Sequence, residues 1–194
     1  MIVPELSNEI PQRRNRFSKW LGLKVLQILG WKVVGDFPQR AKFVVAVAPH
    51  TSNWDFVIAV ATMLALQIKI RFLGKDALFF WPFKIWLKAI GGIPVERNNP
   101  HGVVEQMVEL FDRSEKLVLA LAPEGTRRKT SQWRSGFLHI AHLAEVPVVP
   151  LSLDFAKKEI CVYQEVFISE DIPDELKKIK QLFVNITPKN PQGI

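Results

Sequence analysis

Three apolar runs constrain this chain more than any other feature: KFVVAVAP (42–49), KLVLALAP (116–123) and VPVVPLSLD (146–154). Each is short and rich in Val and Leu, and the first two show no alternation with polar residues. A strand with one face in water alternates, whereas a strand covered on both faces reads as a continuous apolar run. IRFLG (70–74), IPV (93–95) and ICVYQEVFI (160–168) read as further strands. Helical patterns lie between them. FVIAVATMLALQI (56–68) is apolar almost all round, which predicts a buried helix. FFWPFKIWLKAIGG (79–92) reads as a helix started by Pro82 and closed by glycines. Asn99 and Pro100 suit the N-cap and first position of a helix running to about Asp112. WRSGFLHIAHLAE (133–145) and DELKKIKQLFVNI (174–186) complete the series. Alternating strands and helices predict an α/β fold, a single domain with a mostly parallel sheet covered by helices. Residues 13–31 form an amphipathic pattern ahead of it. We therefore divide the chain into an N-terminal amphipathic helical segment (1–32) and one domain (33–194).

The chain has 194 residues, 48% of them hydrophobic, enough for one full core. Its net charge of +7 suits an acidic partner: nucleic acid, an anionic membrane surface, an acidic carrier protein or a phosphate-bearing substrate. Charge alone does not choose among these. Six Trp and thirteen Phe against one Tyr is a balance found where surfaces are half apolar and half wet. Phe17 and Trp20 sit among Arg13, Arg14, Arg16, Lys19 and Lys24. Such a helix can lie in a membrane interface, or pack on its own domain with a solvated basic end. No stretch reads as a secretory signal, and no run reaches the ~18–20 unbroken apolar residues of a spanning helix; residues 77–95 are interrupted by Lys84, Lys88 and Gly91-Gly92. The expectation is a soluble or peripheral protein. Cys161 is the single cysteine, which excludes an intrachain disulfide and is compatible with a reducing compartment. His139 and His142 are spaced to share a helix face, but no further ligand is evident nearby and no metal is expected.

The polar residues with chemistry follow the apolar runs. After Pro49 come His50, Thr51, Ser52, Asn53, Trp54 and Asp55. Five residues apart is ~140° around a helix, so His50 and Asp55 do not share a helix face. They meet if His50 lies in the loop and Asp55 in the first helical turn; the carboxylate then holds one ring nitrogen and leaves the other as a base. Ser52-x-x-Asp55 equally fits a capping box, in which Asp55 merely satisfies the helix start. After the second run come Glu124, Gly125, Thr126, Arg127, Arg128 and Lys129. Gly125 permits close backbone approach, Thr126 can donate a hydrogen bond and Arg127 can fork onto a phosphate; a solvated basic turn is the simpler reading. Arg97, after GGIPVE, is a second anion contact or an ordinary exposed arginine. The aromatics of 79–87 read most simply as core; with helix 56–68 they could instead line a groove for an apolar chain.

Taken together, in this order, these segments resemble the glycerolipid acyltransferases of the lysophosphatidic acid (1-acylglycerol-3-phosphate) acyltransferase type. The H-x-x-x-x-D motif of that family is matched by His50 to Asp55, its G-x-I-x-x-x-R segment by Gly92, Ile93 and Arg97, its third motif, usually Phe-Pro-Glu-Gly-Thr-Arg-Ser, by Ala122 to Arg128, and its Val-Pro-Val/Ile-x-Pro strand by Val146 to Pro150. The resemblance covers about residues 40–155. Ala122 stands where the family often has Phe, and Arg128 where it often has Ser.

The resemblance implies that 33–194 is an acyltransferase domain. It implies transfer of a fatty acyl group from acyl-CoA or acyl-carrier protein to a lyso-lipid hydroxyl, with 1-acylglycerol-3-phosphate as acceptor and phosphatidic acid as product. His50 would be the general base and Asp55 its orienting partner, with Arg97, Glu124, Gly125, Thr126 and Arg127 binding the acceptor. No cofactor is required. The expected setting is the cytoplasmic, inner face of the cell membrane, held peripherally at an anionic surface by the basic N-terminus, with no nucleic-acid partner. A different lyso-lipid acceptor, or a non-catalytic membrane-docked lipid-binding protein, are the competing readings.

Overall fold

A computed structural model describes residues 2–95, 100–126, 130 and 132–191. The chain order is α1 (Arg16–Leu29), β1 (Lys32–Val34), β2 (Lys42–Ala48), α2 (Asn53–Leu66), β3 (Ile70–Lys75), a 3₁₀ turn (Asp76–Leu78), α3 (Phe83–Ala89), β4 (Gly92–Val95), α4 (Pro100–Arg113), β5 (Leu117–Leu121), α5 (Gly136–Leu143), β6 (Val148–Asp154), β7 (Glu159–Val162) and α6 (Ile172–Gln181). Among the described residues, seven strands form one sheet in the order β1-β7-β6-β2-β5-β3-β4. Every pairing is parallel except β6 with β7. The predicted α/β architecture, with a mostly parallel sheet and an N-terminal helix, is therefore the observed one.

The apolar runs serve two cores at once. Along β2, Phe43 and Val45 face one cluster with Leu26 of α1 and Ile58 and Ala61 of α2. Val44, Ala46 and Ala48 face the other, with Met107 and Phe111 of α4 and Phe137 and Ile140 of α5. Because both faces are covered, Phe43 to Ala46 are buried without a break and the alternation disappears.

Helix α1 lies on α2. Asn15 caps it by accepting the Ser18 N–H at 3.0 Å, and Gly30 ends it in the left-handed region at φ 75°. The two helices touch backbone to backbone at Gly22: a methyl there would lie 2.6 Å from the Ala61 carbonyl oxygen. Leu26 is fully buried, while Phe17, Trp20 and Ile28 face outward. The helix thus packs on the domain along one side and presents apolar residues on the other.

Several expectations are corrected. The short strand β1 has no signature in the sequence. It carries only three residues, too few for a periodic pattern, and exists because β7 offers it an edge. The last strand ends at Val162 rather than 168; Val166 makes only an isolated bridge to Val148. The helix expected over 79–92 covers only Phe83–Ala89, after a 3₁₀ turn and with Pro82 as its N-cap residue. Of its aromatics only Phe79 is core, packed by Gly74 and Gly92; from Phe80 to Trp86 every residue is exposed. Apolar composition reads as a burial signal, but among the described residues no other element covers this face of the helix. The expected cap residue Asn99 lies outside the described residues.

Candidate active site

The parallel strands β2, β3, β4, β5 and β6 end at one edge of the sheet, and there the polar loops collect. β5 is hydrogen-bonded between β2 and β3, with Val45 opposite Ala120 and Ala46 opposite Leu121. The chain leaving β2 enters α2 on one face; the chain leaving β5 enters α5 on the other. Adjacent strands whose connections diverge to opposite faces open a crevice at their carboxyl ends, the place where open α/β sheets bind ligands.

His50 and Asp55 meet in this crevice. His50 sits in the loop after β2, and Asp55 is the third residue of α2. His50 Nδ1 lies 3.3 Å from Asp55 Oδ2. The same oxygen accepts the backbone N–H of Thr51 at 2.6 Å and of Ser52 at 2.7 Å. Ser52 Oγ accepts the Trp54 N–H at 3.1 Å, completing a capping box. The cap and the histidine partner are therefore not alternatives for Asp55: one carboxylate closes the helix start and faces the histidine. Its side chain is 2% exposed, so two fixed N–H dipoles, not water, hold it. Oδ1 is buried without a hydrogen-bond partner among the described residues.

Glu124 joins the two loops. Its Oε2 accepts the His50 N–H at 3.0 Å, across 74 positions of sequence. Burial raises its pKa above the usual carboxylate value, and nearby Asp55 adds to this; the His50 N–H and the imidazole pull the other way. The sequence suggests that Glu124 binds the acceptor or orients the arginines; the contact it makes in the structure is to the backbone of His50. Gly125 turns the loop with φ 62° and donates its N–H to Ala122 O at 3.1 Å. Thr126 follows, half-buried. Arg97 and Arg127 lie outside the described residues.

Two further residues bear on the site. Arg134 donates its backbone N–H to Pro123 O at 2.8 Å, and its side chain lies over Gly125: a methyl on that glycine would be 2.9 Å from Arg134 Nε. Its neighbour Trp133 is fixed against Phe183, with ring centroids 5.3 Å apart. Among the described residues the Arg134 guanidinium has no hydrogen bond or ion pair. Asn190 donates its backbone N–H to Thr51 Oγ1 at 3.2 Å and its amide to Thr51 O at 3.3 Å. Arg134 was hidden because WRSGF reads as a helix start; only its composition, an arginine shortly after a basic loop, hinted at it. For Asn190, 139 positions from its partner, there was no local signal. His142 Nδ1 lies 3.0 Å from Ile168 O, remote from the crevice.

A profile of the Acyltransferase family matches residues 31–154. A probable 1-acyl-sn-glycerol-3-phosphate acyltransferase of Mycoplasma pneumoniae is 33% identical over 164 residues, covering 78% of this chain and 59% of that protein. The 1-acyl-sn-glycerol-3-phosphate acyltransferase of Streptococcus pneumoniae is 28% identical over 142 residues, covering 68% of this chain and 51% of that one. The chain thus spans little more than half the length of these curated relatives. The crystal structure of the 1-acyl-sn-glycerophosphate acyltransferase of Thermotoga maritima superposes with a TM-score of 0.57 over 91% of this chain and 86% of that one, at 20% identity, and shares the fold.

Proposed function

The chain belongs to the acyltransferase family, and from that premise we propose that it transfers a fatty acyl group from a thioester to the hydroxyl of 1-acylglycerol-3-phosphate, forming phosphatidic acid. The observation that carries this is the His50–Asp55 pair in a crevice between β2 and β5. With its Nδ1 proton directed at Asp55, the imidazole has Nε2 as its basic nitrogen. The acceptor hydroxyl gives its proton to Nε2 as its oxygen attacks the thioester carbonyl. The C–S bond then breaks, and the proton passes from Nε2 to the leaving thiolate. The new ester and the free thiol balance the step, with no covalent acyl-enzyme and no cofactor. Glu124 holds the His50 backbone in place. Arg127 and Arg97, carried over from the family motifs, bind the acceptor phosphate, and Arg134 adds a third cation beside Gly125.

Acyl-CoA and acyl-carrier protein are both acidic donors that suit a +7 chain. No helix among the described residues is long and apolar enough to cross a membrane, and we place the protein peripherally at the inner face of the cell membrane. The deciding experiment follows a labelled acyl thioester, of CoA and of carrier protein, onto lysophosphatidic acid and onto lyso-lipids lacking the phosphate, with His50→Ala in parallel. Transfer to the phosphate acceptor that the variant abolishes is the expected result. Transfer only to other acceptors would overturn the substrate, and transfer by His50→Ala at near-normal rate would overturn the base.

A further inference from the structure

The 3₁₀ turn and α3 carry an exposed apolar surface that the fold does not use. Trp81 is 80% exposed, Ile85 66%, Phe80 57% and Phe83 53%, and Leu78 and Trp86 are close to half exposed. A seven-residue helix of this composition gains nothing from water on nearly all sides. The surface is preformed: Phe80 and Phe83 lie 5.1 Å apart, and Trp86 is held edge-on against Phe56 of α2 at 6.0 Å. On the same flank, Trp54 and Val57 of α2 are also exposed. The segment leaves the carboxyl end of β3, so its start stands at the edge that holds His50.

Its charge is basic on balance. Exposed Asp76 at the start of the turn is offset by its neighbour Lys75, residues 77–95 contain no Asp or Glu, and exposed Lys84 and Lys88 alternate with the aromatics. None of the three lysines makes an ion pair among the described residues. Tryptophans with an apolar body and a polar edge, interleaved with lysines, fit the interface of a bilayer whose headgroups are anionic. A dry protein interface would instead be depleted of lysine.

We propose that residues 78–86 dock this protein onto an anionic lipid surface, with the aromatics at the level of the headgroups and Lys75, Lys84 and Lys88 against the phosphates. The inference rests on the acyl-transfer reading only for why a site should stand at a bilayer; the surface itself is argued from exposure and charge. It differs from an anchor made by α1, whose Phe17 and Trp20 lie toward the opposite edge of the sheet, where Arg13 bonds Ala89 O at the far end of α3.

The test is co-sedimentation of the whole chain, without substrate, with phosphatidylcholine vesicles containing or lacking phosphatidylglycerol. Wild type should bind the anionic vesicles. Trp81→Gln combined with Phe83→Gln should weaken binding about tenfold or more. Lys84→Gln combined with Lys88→Gln should remove the preference for phosphatidylglycerol. Phe17→Gln with Trp20→Gln, and Val184→Gln on the other side, should change binding by less than about twofold. Lipids brominated in the acyl chain should quench wild-type fluorescence more than that of Trp81→Phe. All substituted side chains are exposed, and unchanged melting temperatures verify the fold. Wild-type binding by the Trp81/Phe83 variant, or loss of binding in the Phe17/Trp20 variant instead, would overturn the proposal. So would a concentration-dependent dimer that the Trp81/Phe83 variant dissolves while wild type ignores vesicles. A soluble short-chain acceptor separates the two readings: if the Trp81/Phe83 variant loses turnover there yet still binds vesicles, the segment is an acyl-chain contact. Vesicle binding without acyl transfer from any donor leaves the docking surface standing and removes the enzyme reading.

Discussion

Asp55 Oδ2 stands 3.3 Å from His50 Nδ1 while accepting two backbone N–H groups, from Thr51 and Ser52. The helix cap and the histidine partner are one atom. This couples the stability of the α2 start to the orientation of the imidazole, and substitutions can separate the two. Asp55→Asn keeps an oxygen for the N–H groups but removes the charge that favours the imidazolium. Asp55→Ala removes both. We expect Asp55→Asn to unfold within about 1 kcal/mol of wild type, yet to lose about 10²-fold or more in kcat. Asp55→Ala should lose at least as much activity and a further ~1–2 kcal/mol. Urea denaturation beside steady-state kinetics checks both; equal activity in Asp55→Asn and wild type would reduce Asp55 to a cap.

Glu124 should make stability depend on pH in an unusual sense for a carboxylate. Burial raises its folded pKa above the unfolded value, so the folded state binds a proton more readily than the unfolded one. Its stabilising contribution is fully present below the unfolded pKa and is lost as pH rises through the folded pKa. Glu124→Gln, which still accepts the His50 N–H, removes this dependence. The melting temperature of the variant relative to wild type should therefore rise as pH increases from about 4 toward neutrality. A difference that is constant across this range would contradict the assignment.

Arg134 should matter to the acceptor and not to the donor. Its guanidinium lies over Gly125, and a charge-assisted contact to phosphate is worth roughly 1.5–3 kcal/mol. Arg134→Ala should raise KM for lysophosphatidic acid about tenfold or more. It should leave KM for the thioester unchanged, as well as the rate on an acceptor lacking phosphate. Arg134→Lys should restore part of the affinity, since a point charge replaces a fork. A rise in KM for phosphate-free acceptors to the same degree would make Arg134 a packing residue.

Gly22 is expected to tolerate no side chain. Any Cβ there meets the α2 backbone at Ala61, Leu64 and Ala65, which cannot rotate away as a side chain could. Gly22→Ala should separate α1 from α2 and destabilise the chain by about 1–3 kcal/mol, despite the better helix propensity of alanine. Thermal melting of Gly22→Ala beside Ile28→Ala, on the exposed side of the same helix, measures this.

Much of this molecule was legible in order along the chain. The continuous apolar runs announced strands covered on both faces, because a residue's character reports directly on what surrounds its side chain. The polar loops after Pro49 and Pro123 were legible for the same reason, and so was the cap at Ser52 and Asp55, whose contacts span a few residues. The order of the strands was decided only in three dimensions. That β5 inserts between β2 and β3 brings Glu124 to the His50 N–H, sends α2 and α5 to opposite faces and so opens the crevice. Local periodicity carries no record of which strand will be the neighbour, since any apolar edge satisfies the same backbone groups. Tertiary structure likewise decided that Arg134 lies on Gly125 and that Asn190 reaches Thr51. It also left the aromatics of α3 in the open: apolar composition states what a segment would gain from burial, and only the arrangement of the other elements determines whether anything is there to bury it.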